Sequence, residues 1–507
     1  MAWPPLLAVC ASLIPFISSA AEAPTTFRDT LGATHEAATN VPAPIFRNPR
    51  PGSDLRSWII HWNEVAINAS GVDHTPVAPG ENRVFGEQIG PGRSARAMAI
   101  VHIAMFDALI AVNGGYRSYT RMPRLSGQVS QKAAVAYAAH DTLVALFPSQ
   151  KASFDAELQD SVRRLRGSSV AIFNGVRLGK RAADAILDLR SADGSQHAEP
   201  ILGVDWPASD GPGHWRQDPI SLSTVALGAH WGEVRPFVMQ SSSQFRAPPP
   251  PAMTSVEYTE AFNEVKRLGG DGVNTSTERT EEQSFIGVFW AYDGTPSLCA
   301  PPRLYNQITV QIAKQRGSGA IATARLLALV NIGMADAGIA IWESKFFYDF
   351  WRPVGGIREA DAGTGPTQQG DGNPATLGDP NFMPLGAPGS NLHGPNFTPP
   401  FPSYPSGHGG FGGALFQMLR RFYGTDRIPF TFVSDEFNGT TRDSSGNVRP
   451  LRPLRPRSFS RLSQAEEENG QSRIYLGIHW AFDKTEALTQ GERVADYVFF
   501  RAYRPIR

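Results

Sequence analysis

Apolar residues recur at helical spacing along most of the chain, and almost no stretch alternates between apolar and polar residues. Helical recurrence is typical of amphipathic helices, whereas strict alternation is typical of half-buried strands. We therefore predict an all-α fold of helical bundles joined by long irregular loops. The predicted helices cover 55–69, 93–113, 132–147, 150–165, 170–189, 256–268, 280–292, 303–316, 320–349, 406–423, 463–480 and 485–503.

Two loop regions divide this pattern. The prolines at 248–251 interrupt it most clearly, and such a run favours an extended linker. We therefore predict an N-terminal helical bundle over 24–247, a proline-rich linker over 248–254 and a C-terminal bundle over 255–507. Within the second bundle, residues 354–404 are rich in Gly and Pro and irregular. A loop of that length in a compact domain is usually functional.

The two predicted bundles resemble each other in sequence. Residues 95–108 align without gaps on residues 324–337, with Ala, Arg, Ala, Val, Ile, Met, Asp and Ala in register. The pattern Gly-x-Arg-x-Ala-Asp then occurs at 179–184 and again at 491–496. Two matches in the same order predict an internal duplication. The alternative is that alanine-rich buried helices have converged on similar sequences.

The duplication predicts structural roles for residues that recur in both copies. Asp107 and Asp336 occupy equivalent positions. Each is expected to cap backbone groups or to pair with a nearby arginine, Arg96 or Arg325. His102 lies on the same predicted helix as Asp107, and we expect it to be a packed core histidine and not a ligand.

Composition and charge exclude several classes of protein. Of the 507 residues 41% are hydrophobic, which permits a large core, and 47 basic and 47 acidic residues leave no formal charge. That balance does not favour nucleic acid or an anionic membrane surface as a partner. The two cysteines, Cys10 and Cys299, exclude a cysteine-ligated metal site. Beyond the N-terminus, no run is expected to approach the roughly 20 apolar residues of a membrane span.

The first residues of the chain have two interpretations. Residues 6–17 are apolar and residues 18–23 offer small residues for cleavage, so residues 1–23 are predicted to be a signal peptide. The lack of Lys or Arg before Arg28 and the prolines in the segment favour instead an ordinary disordered N-terminus. The expected location is secreted or periplasmic, or cytoplasmic if the second interpretation holds.

The candidate chemistry centres on residues 401–408, Phe-Pro-Ser-Tyr-Pro-Ser-Gly-His, which precede a glycine-rich helical stretch. Pro405 prevents a helix from running into the segment, and Ser406 is a favourable N-cap. A helix that starts there presents free N–H groups, including that of Gly407, beside a hydroxyl and an imidazole. Such a helix end binds anions. The alternative is a glycine-rich turn that leads into a helix and carries a surface histidine, His408.

Two further segments supply the rest of an oxyanion site. Lys345 and Arg352 lie upstream, and Arg473 and His479 lie downstream. Each pair alone is weak evidence, because such cations usually lie on a solvated helix face and a lone histidine is usually structural. Together with the helix start they could pair every oxygen of a tetrahedral anion. The position equivalent to Lys345 in the first copy is Tyr116, so only the second bundle is expected to carry the site.

The order and spacing of these segments resemble the vanadium-dependent haloperoxidases and the type-2 phosphatidic acid phosphatase superfamily that shares their site. The similarity to the chloroperoxidase-like haloperoxidases extends from about Phe289 to Asp483. The matching motifs are Phe289-Trp-Ala-Tyr-Asp-Gly294, Trp342-x-x-Lys345, Phe350-Trp-Arg-Pro353, Leu385-Gly-Ala-Pro388, Pro399-Pro-Phe-Pro402 and Leu476-Gly-Ile-His-Trp480.

The resemblance implies a bound vanadate and a role for each residue of the site. His479 would be the protein ligand to vanadium through a neutral imidazole nitrogen. His408 would be the acid–base group on the opposite side. Trp342 and Phe401 match aromatic positions that flank the halide; the alternative is plain core packing. The oxygens of vanadate would be held by Lys345, Arg352, Ser406, Gly407 and Arg473, with Asp293 as a partner that orients Arg473.

The reaction that the resemblance implies uses hydrogen peroxide and a halide. Vanadium acts as a Lewis acid without changing oxidation state, and Lys345 draws charge from one peroxide oxygen. The halide attacks that oxygen to give hypohalous acid or an equivalent, and small organic molecules could accept the halogen. The bromoperoxidase branch commonly has a second histidine where this chain has Phe401. Chloride or bromide is therefore expected, with chloride favoured.

Two other functions fit the same residues. A phosphatase of the superfamily would use His479 as the nucleophile and His408 as the general acid on the leaving group. A non-catalytic protein could use the site only to bind an oxyanion. Neither the residues nor the resemblance predicts an oligomeric state.

A basic segment lies outside these motifs. Residues 449–457 carry four arginines, with Arg442 and Arg461 nearby. The plain interpretation is an exposed loop. The alternative is a positive rim that attracts halide to the site.

Overall fold

A computed structural model describes residues 25–32, 46, 48–388, 396–441 and 451–506. Within this part of the chain the fold is all-α, as the sequence predicts. The predicted signal peptide over 1–23 lies outside the described residues, and so do Arg442 and Arg449. Export of the chain therefore stays a prediction.

Fourteen α-helices form within the described residues. They are α1 (Phe27–Leu31), α2 (Leu55–Asp73), α3 (Gly90–Asn113), α4 (Gln131–Leu146), α5 (Lys151–Arg164), α6 (Ser169–Arg190), α7 (Val256–Leu268), α8 (Glu281–Phe289), α9 (Pro301–Gln315), α10 (Ala320–Tyr348), α11 (Pro353–Arg358), α12 (Gly407–Tyr423), α13 (Leu462–Tyr475) and α14 (Ala481–Phe499). A Ser, Thr or Asp side chain caps the N-termini of α2, α4, α6, α7, α8 and α12. Each cap satisfies a backbone N–H that has no acceptor within its helix.

Two short strands, β1 (Phe430–Phe432) and β2 (Arg457–Phe459), pair antiparallel, with Phe430 opposite Phe459. Neither strand is predicted from the sequence. Each has 3 residues, and the alternation that reveals a strand needs a longer run.

The helix predicted over 463–480 ends five residues early, and a turn separates it from the next helix. The first ends at Tyr475, and the second begins at Ala481. Gly477 lies between them with a φ of 72°, which a right-handed helix cannot include. His479 is therefore placed in the turn between α13 and α14 and not on a continuous helix.

Two long apolar helices, α3 and α10, pack against each other in the main hydrophobic core. Both are long and apolar enough to cross a bilayer, so the expectation that no run reaches that length is wrong for them. Within the described fold, however, 94% of the most apolar window of each helix is buried. A core helix of a helical bundle is apolar all round for the same reason.

The two halves of the chain repeat one packing arrangement. α6 packs on α4 through Gly179, whose hydrogen lies against the backbone of α4 near Ala134. α14 packs on α12 through Gly491, which lies against the backbone near Gly410. A Cβ at either glycine would overlap the partner helix, so the repeated Gly-x-Arg-x-Ala-Asp pattern has the same physical cause in both halves. The division of the chain at 248–254 stays a prediction.

The two recurring aspartates hold loops onto the core helices. Asp107 in α3 accepts the backbone N–H groups of residues 119 and 120, at 3.0 and 2.7 Å. Asp336 in α10 accepts three consecutive N–H groups, from residues 237–239, at 2.6, 2.8 and 2.9 Å. Both side chains are buried, so these bonds satisfy loop backbone groups that water does not reach.

The arginines of the two copies are bonded elsewhere. Arg96 donates from Nε to Asp193 at 2.7 Å. Arg325 donates to the carbonyl oxygen of Tyr503 and lies over three aromatic rings. Of the two roles expected for Asp107 and Asp336, the bonding of backbone groups is confirmed, and pairing with Arg96 or Arg325 is wrong, because backbone N–H groups already occupy those carboxylates.

His102 is a buried core residue of α3, as predicted. Its Nδ1 lies 2.8 Å from the carbonyl oxygen of Met98, and its Nε2 lies 3.0 Å from the amide oxygen of Asn63. Burial lowers the pKa of His102 to about 4, so its ring is neutral at neutral pH.

Two arginines of the basic segment at 449–457 do not contribute to the positive rim that the sequence suggested as an alternative, and the rest of that alternative stays a prediction. Arg452 is buried and pairs with Glu436. Arg457 pairs with Glu468, with Nε and Oε1 2.5 Å apart. These carboxylates neutralise two of the four arginines, so neither can contribute to an exposed positive surface.

Candidate active site

The last turn of α10 buries a lysine. Lys345 is fully buried, and its Nζ donates to the carbonyl oxygens of Pro402 at 2.7 Å and Ser403 at 2.8 Å. An ammonium group has three N–H donors, so one remains for another acceptor. The lysine thus joins α10 to the irregular segment that precedes α12.

Arg352 lies at the N-terminus of α11, seven residues beyond Lys345 but outside α10. Its Nε donates to the carbonyl oxygen of Phe401 at 3.0 Å, and its Nη1 donates to that of Ile478 at 2.8 Å. Nη2 is buried and has no hydrogen-bond partner among the described residues. The guanidinium therefore bonds to the segments that contain Phe401 and Ile478, and its Nη2 is left for a further acceptor.

The start of α12 has the predicted anion-binding form. The Ser406 hydroxyl accepts the N–H of Gly409 at 3.3 Å, which makes Ser406 the N-cap. A hydroxyl that accepts one bond keeps its own proton to donate. The N–H of Gly407, the first helical residue, precedes the first intrahelical bond and has no acceptor within the helix.

Arg473 lies in the last turn of α13 and is also buried. Its Nη2 donates to both oxygens of Asp293, at 2.7 and 2.8 Å, so the pairing suggested from the sequence is present. Its Nε and Nη1 are buried, and no described residue accepts a hydrogen bond from them. One edge of the guanidinium is thus fixed by Asp293, and the other is left for a further acceptor.

The two ring nitrogens of His479 are engaged differently. Nδ1 lies 2.7 Å from Oδ2 of Asp483, in the first turn of α14, and donates its proton to that carboxylate. The Ser403 hydroxyl donates to the same oxygen. Nε2 therefore carries the lone pair, and Nη1 of Arg352 approaches it to 3.1 Å. A neutral imidazole with its second nitrogen held by a carboxylate is the usual form of a metal-binding histidine.

His408, in the first turn of α12, is held in the opposite tautomer. Its Nε2 donates to the carbonyl oxygen of Ala291 at 2.5 Å. Its Nδ1 therefore carries the lone pair, and it lies 3.8 Å from Oδ1 of Asp293. The backbone of His408 is fixed as well, because Tyr305 and Asn469 both donate to its carbonyl oxygen.

Trp342 and Phe401 form an aromatic wall beside the cations. Their ring centroids are 4.9 Å apart at an interplanar angle of 60°. Nζ of Lys345 lies 5.1 Å from the Phe401 centroid, and the guanidinium carbon of Arg352 lies 5.0 Å from it. The indole N–H of Trp342 donates to the carbonyl oxygen of Leu227 at 3.0 Å, so only its ring faces the cavity.

Burial shifts the pKa of several ionisable groups of the site. It lowers the pKa of Lys345 far below the usual value, with the charge of Arg352 as a further cause. It lowers the pKa of Arg352 itself to about 9. Burial and the neighbouring arginines also hold the pKa of His408 and of His479 well below 6.5. Burial raises the pKa of Asp483 to about 7, against hydrogen bonds and cations that favour its charged form.

The chain matches known proteins along most of its length. Residues 325–507 match the family model of the VCPO second helical-bundle domain. Over 528 aligned residues the chain is 31% identical to the vanadium chloroperoxidase of Curvularia inaequalis, and 88% of this chain and 82% of that protein are covered. This chain belongs to the vanadium haloperoxidase family.

Solved structures of vanadium haloperoxidases share the fold. A bacterial vanadium-dependent iodoperoxidase has a TM-score of 0.67 at 21% identity, over 90% of this chain and 99% of that chain. An apo-type bacterial vanadium-dependent chloroperoxidase has a TM-score of 0.59 at 15% identity, over 81% of this chain and 94% of that chain. The predicted family and the predicted all-α fold are therefore confirmed.

Buried atoms of this chain fit vanadate as a cofactor. In the part of the chain that the structure describes, Nη2 of Arg352 and both Nε and Nη1 of Arg473 are buried donors without acceptors, and Lys345 keeps one N–H. Leaving such donors unpaired in a protein interior is costly, so the cavity favours an anion that accepts from all of them. Three cations against two carboxylates, Asp293 and Asp483, also suit an oxyanion and not a bare metal cation.

The structure brings all of the predicted site residues into one region, together with two residues that were not assigned from the sequence. Asp483 orients His479, and Ser403 bonds to Asp483. Asp483 could have been found from its spacing, because it follows His479 by four residues and occupies the third position of α14, where a carboxylate often caps the helix start. Ser403 lies in an irregular segment and has no such signal.

Proposed function

We propose that this chain is a vanadate-dependent haloperoxidase that oxidises chloride or bromide with hydrogen peroxide to hypohalous acid. The observation that carries the proposal is the pair of buried, half-unpaired guanidinium groups of Arg352 and Arg473. They lie around His479, whose Nε2 lone pair accepts only from Nη1 of Arg352 among the described residues. An ordinary structural ion pair would not leave three buried N–H-bearing nitrogens without acceptors.

The protein would hold vanadate from several directions. His479 would supply the one protein ligand to the metal, through Nε2. The oxygens would accept from Lys345, Arg352, Arg473, the Ser406 hydroxyl and the Gly407 N–H. When bound, vanadate would supply a Lewis acid that activates hydrogen peroxide towards a halide. The donors are fixed in place before the cofactor arrives, since each is also bonded to the protein.

His408 is suited to move a proton at Nδ1. Because burial and Arg473 keep its pKa low, the ring is neutral and Nδ1 can accept a proton from hydrogen peroxide as it enters. The imidazolium so formed would lie beside the carboxylate of Asp293, which stabilises its charge. Lys345 would then place positive charge near the oxygen that the halide attacks.

The halide would approach along the aromatic wall of Trp342 and Phe401. The Trp342 N–H is occupied by a backbone carbonyl, so this side chain can offer the halide only its ring. Attraction would come instead from Lys345 and Arg352, which lie close to the Phe401 ring. A small, desolvated anion would be held by those charges, which supports chloride or bromide as the substrate.

The direct test measures halogenation with chloride, bromide and iodide in parallel, with vanadate and peroxide present. Monochlorodimedone or phenol red would report the product. Turnover with chloride or bromide that requires added vanadate supports the proposal. Hydrolysis of p-nitrophenyl phosphate without any peroxide chemistry would show the phosphatase function instead, with His479 as the nucleophile. Inactivity in both assays would leave a non-catalytic oxyanion-binding protein.

A further inference from the structure

A largely apolar cavity opens from the site and is partly continuous with solvent. One end is formed by His408, Arg473 and His479. The walls further out are apolar and come from separate parts of the chain. They include Phe27, Leu31, Phe85, Ile89, Leu227 and Phe397. Such walls are typical of sites for small organic molecules, whereas halide, hydrogen peroxide and hypohalous acid are small and polar and do not require them.

One wall of this cavity is built by the short helix α1, whose Phe27 and Leu31 belong to a small apolar cluster separate from the main hydrophobic core. Ser223 donates to the backbone carbonyl oxygens of Asp29 and Thr30, at 2.6 and 2.9 Å. Phe27 packs edge-to-face on Phe85, with ring centroids 5.7 Å apart. These contacts hold α1 beside the cavity. Its apolar side chains therefore line the same cavity as His408, Arg473 and His479.

We propose that this cavity binds an apolar aromatic acceptor and that halogenation occurs on the bound molecule. The inference rests on the proposed haloperoxidase function and adds its organic substrate class. Apolar walls next to a polar reactive end would hold a hydrophobic ring with one edge towards His408 and Arg473. Water-soluble, charged aromatics would gain little from Phe27, Leu31 and Leu227, because burying a charged substituent among them carries a desolvation cost.

The halogenation step needs no oxidant other than hydrogen peroxide and no halogen source other than the halide. Bromide, hydrogen peroxide and a proton give hypobromous acid and water. A carbon of the bound aromatic ring then attacks bromine, so a C–Br bond forms and the O–Br bond breaks. The ring proton leaves and combines with the released hydroxide as water. The ring loses two electrons, and bromine is reduced from the +1 to the −1 state.

Two closely related probes test the proposal: 2-naphthol and its charged analogue 2-naphthol-6-sulfonate. Binding is measured by fluorescence titration of the vanadate-loaded protein without bromide or peroxide, because the sulfonate would otherwise be attracted to the empty oxyanion site. For bromination, kcat/KM is measured after bromide and peroxide are added. We expect 2-naphthol to bind more tightly and to be brominated with a higher kcat/KM than the sulfonate. The expected preference is about tenfold in each measurement. The bromination preference must exceed that of free hypobromous acid for the same two compounds.

Two variants change the volume of the cavity in opposite directions. They distinguish a loss of acceptor binding in the cavity from a general loss of packing in the protein. Leu227→Phe fills the cavity, and Phe27→Ala removes part of its apolar surface. Both are expected to reduce the preference for 2-naphthol in binding and in bromination. Phe173→Ala, at an exposed position on α6, is the control and should keep the wild-type preference. If Phe27→Ala fails to fold, Leu227→Phe alone tests whether the cavity causes the preference for 2-naphthol, since this substitution leaves no void.

The outcomes distinguish this inference from the proposed function. A naphthol preference that both wall variants reduce supports bound-acceptor halogenation. If bromide is oxidised but both naphthols bind equally and react with the ratio seen for free hypobromous acid, the acceptor pocket is overturned and the haloperoxidase function stands. If vanadate-dependent bromide oxidation is absent, the proposed function fails, and with it the role of the cavity in halogenation.

Discussion

His479 and Asp483 are joined by a 2.7 Å hydrogen bond from Nδ1 to Oδ2, across the turn that separates α13 from α14. This bond sets the tautomer of the histidine and leaves Nε2 as an acceptor beside Arg352. The bond exists because Gly477 ends α13 early and turns the chain. A local break in a helix thus creates the single nitrogen to which we assign the cofactor.

The first prediction concerns this orienting carboxylate. Asp483→Asn keeps the size of the side chain but can present an amide N–H to Nδ1, which would favour the wrong tautomer. We expect the dissociation constant for vanadate to rise by about 10- to 100-fold, as for other residues that orient a metal-binding histidine. Equilibrium dialysis with vanadate measures it. Asp496→Asn, on the same helix but paired with surface Arg421, is the matched control and should bind as the wild type does.

A second prediction separates proton transfer from cofactor binding. His408→Ala removes the group that accepts a proton at Nδ1 but leaves the cationic donors in place. Turnover should fall by about 10²- to 10⁴-fold, while vanadate affinity changes little. Steady-state bromide oxidation and vanadate titration on the same samples provide both numbers. His140→Ala, in the N-terminal half, is the control; a comparable loss of turnover in that variant would refute the assignment.

The third prediction concerns the vanadate-free protein. Buried donors that lack acceptors should make the empty site less stable than the occupied one, so vanadate should raise the thermal unfolding temperature. At a free concentration of about 100 times the dissociation constant, the expected gain is about 2.7 kcal/mol. Phosphate has the same tetrahedral shape and should reduce the effect by competition. Differential scanning calorimetry with and without each anion tests this. An unchanged unfolding temperature with vanadate would contradict the assignment of these donors to an oxyanion site.

The fourth prediction is a pH effect far from the site. Burial lowers the pKa of His102 to about 4, whereas an unperturbed histidine titrates near 6.5. Between these values the unfolded chain binds a proton that the folded protein excludes, so stability falls as the pH falls from about 6.5. The full loss at His102 is about 3 kcal/mol. Above about pH 6.5 the histidine is neutral in both states and has no effect.

His102→Asn should remove this part of the acid sensitivity, since Asn331 occupies the equivalent position in the second copy. Urea unfolding from about pH 7 to about pH 4 gives the free energy of unfolding, and its slope with pH is the quantity to compare. His140→Asn is the contrast. Against an opposing effect of burial, hydrogen bonds to Asp141 and Asp155 raise the pKa of His140. An unchanged slope in His102→Asn would contradict the prediction.

The helices and the site residues could be predicted because their causes are local or repeated. Apolar residues at helical spacing reveal buried helix faces, and the Pro405–Ser406 pair marks a helix start whatever surrounds it. Gly179 and Gly491 recur at equivalent positions because each allows two helices to pack closely, so the repeat is visible in the sequence itself. The cationic residues were recognisable because their types, taken together, suit only one kind of ligand.

Other features depend on parts of the chain that meet only in the folded protein. Ser403 bonds to Asp483 across 80 positions, and no spacing rule connects them. Arg96 and Arg325 carry the same repeat pattern yet bond to unrelated partners, because the loops packed around each copy differ. The cavity wall formed by Phe27 is of the same kind: its place next to the active site follows from tertiary packing and not from the sequence of α1.

The central claim is that His479 is the protein ligand to vanadate. Equilibrium vanadate binding to the wild type, His479→Ala and His408→Ala tests it most directly, in samples whose folding is verified by circular dichroism. We predict tight binding to the wild type and to His408→Ala, and loss of binding to His479→Ala. Equal vanadate affinity in the wild type and in His479→Ala would contradict the account.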